Sequence, residues 1–161
     1  MRPFFISSVL TVIFKLQAWY FLNSAKNFGI ELEDLLTRYL KKFPYWSYGH
    51  LKLAELSLKN FNPELAYASV LAFEQLAGKT KKSRSALGSC FLQYKDALRA
   101  KSCFEELYTA YPQDLEIREN LIACYLLEGS SKLVLETLGS LSTESLSSQE
   151  RTALQWARGK L

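Results

Sequence analysis

Apolar positions along this chain recur at three- and four-residue spacings rather than two, so the elements they predict are helices. The clearest stretch runs from Leu87 to Pro112, with apolar residues at Leu87, Phe91, Ala100, Phe104 and Leu107. They form two stripes separated by Tyr94-Lys95-Asp96, which predicts a helix, a turn with Asp96 as N-cap, and a second helix closed by Pro112. Gly88 and Ala100 are the small residues that let the two helices approach, with Phe91 and Phe104 filling the space around the contact. Upstream, Leu32, Leu35, Leu36, Tyr39 and Leu40 make one stripe within Glu31–Pro44. Acids at its start and Arg38, Lys41 and Lys42 at its end suit the helix dipole. Asn62-Pro63 marks another break, with Asn62 capping and Pro63 at the first helical position. Near the end, Ser148-Gln149-Glu150-Arg151 opens a helix whose apolar residues are Ala153, Leu154, Trp156, Ala157 and Leu161.

The N-terminal stretch differs. Residues Phe4 to Leu22 are nearly all apolar, and Ser7, Ser8, Thr11 and Lys15 share one side of the predicted helix. At 1.5 Å per residue this stretch spans roughly 29 Å, close to a bilayer core. Lys15 opposes insertion: a mid-span lysine costs about 2.5–3.5 kcal/mol, whereas each large apolar residue returns about 0.3–0.6 kcal/mol. Three readings stand side by side. Residues 1–28 form a membrane anchor with Arg2 on one side and Trp19 and Tyr20 at the far interface; or a helix packed on protein; or a signal peptide, whose best cleavage site would be Asn23-Ser24-Ala25. The side chains expected to meet membrane or a partner helix are Phe4, Phe5, Ile6, Leu10, Ile13, Phe14 and Trp19.

The Leu87–Pro112 pattern resembles a tetratricopeptide repeat, a helical hairpin of about 34 residues. The step carries through the chain. Leu53-Ala54, Ala66, Val70 and Phe73 match in 47–80, with Ser57 where a tyrosine is usual. Leu121, Tyr125, Gly129, Leu138 and Leu141 match in 115–148, where Gly129-Ser130-Ser131 makes the turn. There Val134 replaces the alanine and Ile122 the glycine, which predicts looser packing of this last pair. A degenerate repeat around Trp19, Leu22 and Asn23 precedes them. The resemblance implies an all-α, right-handed α-solenoid of antiparallel helical hairpins over 29–161, with repeats at about 47–80, 81–114 and 115–148 and an end helix over 148–160 that covers the last hairpin. It also implies a groove lined by the first helix of each hairpin. Carried onto this chain, its positions are Tyr48, Leu51, Glu55 and Leu58; Lys82, Ser85, Ser89 and Leu92; and Glu116, Glu119, Ala123 and Leu126. The lysine and asparagine with which some family members hold a C-terminal carboxylate are replaced by Leu51/Glu55, Ser85/Ser89 and Glu119/Ala123. With leucines on the floor and acids on the rim, the groove is expected to take an apolar or mildly basic helix or extended segment, or else to be filled by the chain's own N-terminal helix.

Composition adds mostly exclusions. The 161 residues are 48% hydrophobic and 22% charged with net charge +4, a mild bias without the basic patches and interleaved aromatics of a nucleic-acid surface. Three cysteines in no tight cluster, Cys90, Cys103 and Cys124, predict buried reduced thiols rather than disulfides or zinc. His50, the only histidine, is read as a packing residue. No glycine-rich phosphate loop, nucleophile elbow or metalloprotease motif is present in the sequence. No catalytic residue, metal or cofactor is therefore expected. The basic run Lys79, Lys81, Lys82 and Arg84 is read as a solvated loop, or more sharply as a contact for lipid headgroups or an acidic partner. The expected function is a protein-interaction scaffold tethered to a membrane or a transmembrane subunit. The alternative is a soluble adaptor resembling the three-repeat chaperones of bacterial secretion systems.

Overall fold

The structure is a computed structural model that describes residues 32–139 and 141–160. The expectations for residues 1–28 lie outside the described residues. All regular structure among the described residues is helical. It comprises α1 (Leu32–Lys42), α2 (Ser47–Lys59), α3 (Pro63–Ala77), α4 (Lys81–Gln93), α5 (Ala97–Ala110), α6 (Leu115–Leu127), α7 (Ser131–Leu138), a 3-10 turn (Thr143–Ser145) and α8 (Ser148–Arg158). No described helix is long and apolar enough to cross a membrane.

The chain divides into two units between Trp46 and Ser47. In the first, Glu33 and Asp34 open α1 and Lys41 and Lys42 end it, as the dipole favours. Leu36 and Leu40 are its buried residues. Tyr39 folds back on Phe43 and Trp46, at 4.7 and 5.5 Å between ring centres.

The second unit repeats itself. Helices α2, α4 and α6 begin 34 residues apart, at Ser47, Lys81 and Leu115, and each is 13 residues long. Helices α3, α5 and α7 begin at Pro63, Ala97 and Ser131, again 34 apart. The turns between partners recur in the same step. Phe61, Lys95 and Gly129 stand at positive φ, at 55°, 58° and 69°. The next N–H of each turn reaches back to the preceding helix: Asn62 to the Ser57 carbonyl, Asp96 to Phe91 and Ser130 to Tyr125, at 2.8–2.9 Å. This is the Schellman closure, in which a left-handed residue turns the chain out of the helix and satisfies its last carbonyls. The residue that closes one helix then starts the next. Asn62 and Asp96 cap α3 and α5 by accepting from the N–H groups of Leu65 and Arg99. Thr80, with a reciprocal capping box to Ser83, and Asp114, accepting from Ile117, open α4 and α6.

Consecutive helices pack on one another from α2 to α8, and α2, α4, α6 and α8 also touch in sequence. Their inward faces share one core that runs from Ala54 and Val70 through Leu87, Phe104, Leu121 and Leu138 to Leu154. At its centre the small residue at 88 acts as the sequence requires, but its neighbour is a side chain rather than a backbone. A Cβ on Gly88 would lie 2.7 Å from Cε2 and Cζ of Phe104, whose ring is fully buried. Ala100, also fully buried, thins the facing helix beside that ring. The last pair departs from the others. Helix α7 has 8 residues where α3 and α5 have 15 and 14, and it shares less surface with its partner. The bulkier Val134 and Ile122 are nonetheless buried. Leu141 and Leu146 extend the core past the end of α7.

Two outcomes test these points. Gly88→Ala should destabilise by about 1–3 kcal/mol, the usual cost of overpacking, and much of that loss should return when Phe104→Leu is added; denaturant titration reads both. At the turns, Phe61 is 82% exposed, so its side chain contributes little packing to offset a left-handed backbone. Phe61→Gly and Lys95→Gly should each stabilise by about 1 kcal/mol, whereas Gly129→Ala should destabilise by a similar amount.

Candidate interaction cleft

Along the row of α2, α4 and α6 lies a cleft of about 410 Å³. It is lined by Glu55, Leu58 and Lys59 from α2, Lys81, Lys82, Ser85, Ala86 and Ser89 from α4, and Asp114, Glu116 and Ile117 at the start of α6. Of the groove positions read from sequence, the fold brings Glu55, Leu58, Lys82, Ser85, Ser89 and Glu116 together here. Others fall elsewhere. Leu51 is 6% exposed and belongs to the buried face of α2, and Leu92 packs against the core. Tyr48 is half exposed, with the Lys52 ammonium 5.5 Å from its ring centre. Glu119 and Ala123 are half-buried on α6. Leu126 lines a second, more apolar hollow of about 420 Å³ with Gln149, Thr152, Ala153 and Trp156 of α8.

Much of the charge around the first cleft is committed within the chain. Lys52 holds Glu55 at 2.6 Å, and Lys81 pairs with Asp114, which also accepts from the Ile117 N–H at 3.1 Å. The Lys81 ammonium keeps the Asp114 carboxyl below the usual carboxylate range, helped by that backbone N–H. Lys81 also lies 4.8 Å from the centre of the Tyr111 ring. Of the basic run, Lys79 alone stands in the loop, where it is exposed. Lys81, Lys82 and Arg84 lie in the first turn of α4, and Arg84 reaches Glu106 of α5 at 2.7 Å. Beside it, Ser83 donates to Glu74 of α3 at 2.8 Å, which ties three helices at the join between two pairs. Similar lateral pairing joins Lys101 of α5 to Glu128 at the end of α6, at 2.8 Å.

The second hollow depends on how α8 is held. Ser147 and Glu150 form a capping box, and the Glu150 carboxylate turns at the same time to Arg118 of α6. Arg118 Nε donates to Oε1 and Nη2 donates to Oε2 at 3.2 Å, a two-pronged pair with both side chains buried. Burial alone would raise the Glu150 carboxyl. The Arg118 guanidinium and the Ser147 N–H outweigh it and hold the group below its ordinary value. Neither the pair nor its role in docking α8 was readable from the sequence, where Glu150 stood only within the run that opens a helix. Arg118, the one basic residue of α6 and set between the apolar Ile117 and Leu121, was the available signal.

Cys90, Cys103 and Cys124 are free and buried, and burial pushes the Cys90 thiol up to about 11 and Cys124 to about 12. Such thiols lack the thiolate character that nucleophilic or metal-binding cysteines need. Among the described residues no cluster of histidine, cysteine and carboxylate groups could hold a metal ion. His50 is half-buried on α2. No family model matches this chain, and no curated protein matches it significantly.

Two further outcomes follow from the Arg118–Glu150 pair. Arg118→Met leaves a buried carboxylate unpaired and should cost about 3–5 kcal/mol, while Arg118→Met combined with Glu150→Met should recover much of that loss. Because the folded state holds Glu150 below the unfolded carboxylate range, this pair's stabilisation is complete above that range. It disappears as pH falls through the depressed folded value. An acid titration followed by circular dichroism should therefore show a smaller acid-side loss in the double variant than in the parent.

Proposed function

We propose that this chain is a non-enzymatic scaffold or adaptor of tetratricopeptide-repeat type. In this reading the helical pairs of 47–148 form a right-handed solenoid of antiparallel hairpins, and the α2–α4–α6 cleft receives a helix or extended segment of a partner protein. The observation that carries it is the 34-residue recurrence of helix starts and left-handed turns, together with an open cleft along one helix of each pair. Recurrent pairs of this kind complete one another's cores and leave an extended surface on one side, which repeat proteins use for binding. The apolar stretch Phe4–Leu22 adds attachment to a membrane or to a transmembrane subunit. The soluble alternative, an adaptor resembling secretion-system chaperones, draws support from the order of three helical pairs followed by one end helix.

Fractionation separates the two. The full chain should stay in the membrane pellet after a carbonate wash, and a chain starting at Asn27 should not. Recovery of the full chain as a detergent-free soluble species would favour the adaptor. Use of the cleft is read independently by placing a photo-crosslinking amino acid at Ser89, inside the cleft, and at Thr109, exposed on α5. A partner adduct is expected from position 89 and not from position 109. Equal yields would remove the cleft from the reading.

A further inference from the structure

Six ionisable side chains line the first cleft, three basic and three acidic: Lys59, Lys81, Lys82, Glu55, Asp114 and Glu116. Counted by type they cancel. Their geometry sorts them differently. Glu55 is neutralised from outside the lining by Lys52, and Asp114 is neutralised by Lys81. Glu116 is exposed and makes no ion pair among the described residues. Lys59 and Lys82 are exposed and make no ion pair among the described residues. Two lysines against one glutamate leave the free charge positive, the reverse of what acids along the rim suggest. Ser85 and Ser89 stand beside these lysines as further hydrogen-bond donors. Along the same row of helices, the hollow between α6 and α8 is almost wholly apolar and offers Leu126, Ala153 and Trp156.

Building on the scaffold reading, we infer that the partner segment is acidic and apolar. One or two of its carboxylates meet Lys59 and Lys82, and a large apolar side chain enters the hollow at Trp156. Charge complementarity at such exposed lysines acts mainly on selectivity and encounter rate, while the desolvated apolar anchor contributes most of the affinity. The two features together also explain why Glu55 and Asp114 are paired off: either carboxylate left unpaired would repel the same segment.

The test is selection of a random peptide library on the immobilised full chain at low salt. Peptides combining Asp or Glu with Trp, Phe or Leu should be enriched, and salt should weaken their binding. Lys82→Glu changes an exposed residue without an ion pair, so a thermal melt should be unchanged. It should lower the affinity of an enriched acidic peptide about tenfold and shift a repeated selection towards Lys and Arg. Enrichment of basic peptides on the parent chain would overturn the inference yet leave the cleft in use. Enriched peptides that bind equally to the parent, to Lys82→Glu and to a cleft-filling Ser89→Trp would overturn the scaffold reading itself.

Discussion

The ring of Phe104 occupies the space that a side chain at position 88 would need, and the arrangement of the second unit follows from that contact. Helix α4 lies inside its row and touches α2, α3, α5 and α6. Its spacing from α5 therefore sets where both neighbouring pairs can sit. A fully buried phenylalanine lying on a bare glycine backbone brings the two helices closer than two ordinary side chains would allow. Tyr67 of α3 reaches Phe91 at 5.9 Å between ring centres, and Arg99 of α5 covers the same ring at 4.8 Å. Aromatic packing thus passes from one pair to the next across α4.

Packing of this kind requires each helix to present the right face, and the left-handed turns enforce it. In each turn a single residue leaves the helix and the following residue closes the old helix; Asn62 and Asp96 also cap the new one through their side chains. With so few residues between helices, a one-residue insertion would rotate the second helix by about 100° and carry its apolar stripe away from the core. The recurrence of Phe61, Lys95 and Gly129 at one turn position is thus a constraint on register. Only Gly129 is the residue that conformation prefers. At Phe61 and Lys95 the fold holds an unfavourable backbone because capping and packing on both sides determine it.

How much of this was legible depended on whether the signal lay along one helix or between two. Stripes, caps and small residues are local: Asp96, Asn62 and Pro63 sit at helix starts as read, and the 34-residue step emerges from apolar residues in single helices. Lateral partners leave no such trace. Lys81 and Asp114 are 33 residues apart, Arg118 and Glu150 are 32 apart, and no periodicity along one helix joins them. Leu51 shows the same limit at the level of burial. A groove position carried over from the resemblance falls on the core side here, because α2 is covered along that face.

The end of the row links stability to binding. Glu150 caps α8 through Ser147 and is held by Arg118, so a single carboxylate fixes where α8 starts and which face it turns to α6. Ala153, Leu154 and Ala157 are thereby buried, while Trp156 is left beside Leu126 at the hollow. A purely apolar contact could bury those three residues with α8 shifted along or about its axis, since hydrophobic burial is non-directional. The two-pronged ion pair tolerates neither shift, because both donors must meet both oxygens. Its contribution is consequently orientation more than net stability, in keeping with the small or negative balance of buried ion pairs against apolar substitutes. The apolar hollow has a defined shape because a charged pair, paid for by desolvation, fixes the helix that forms its wall.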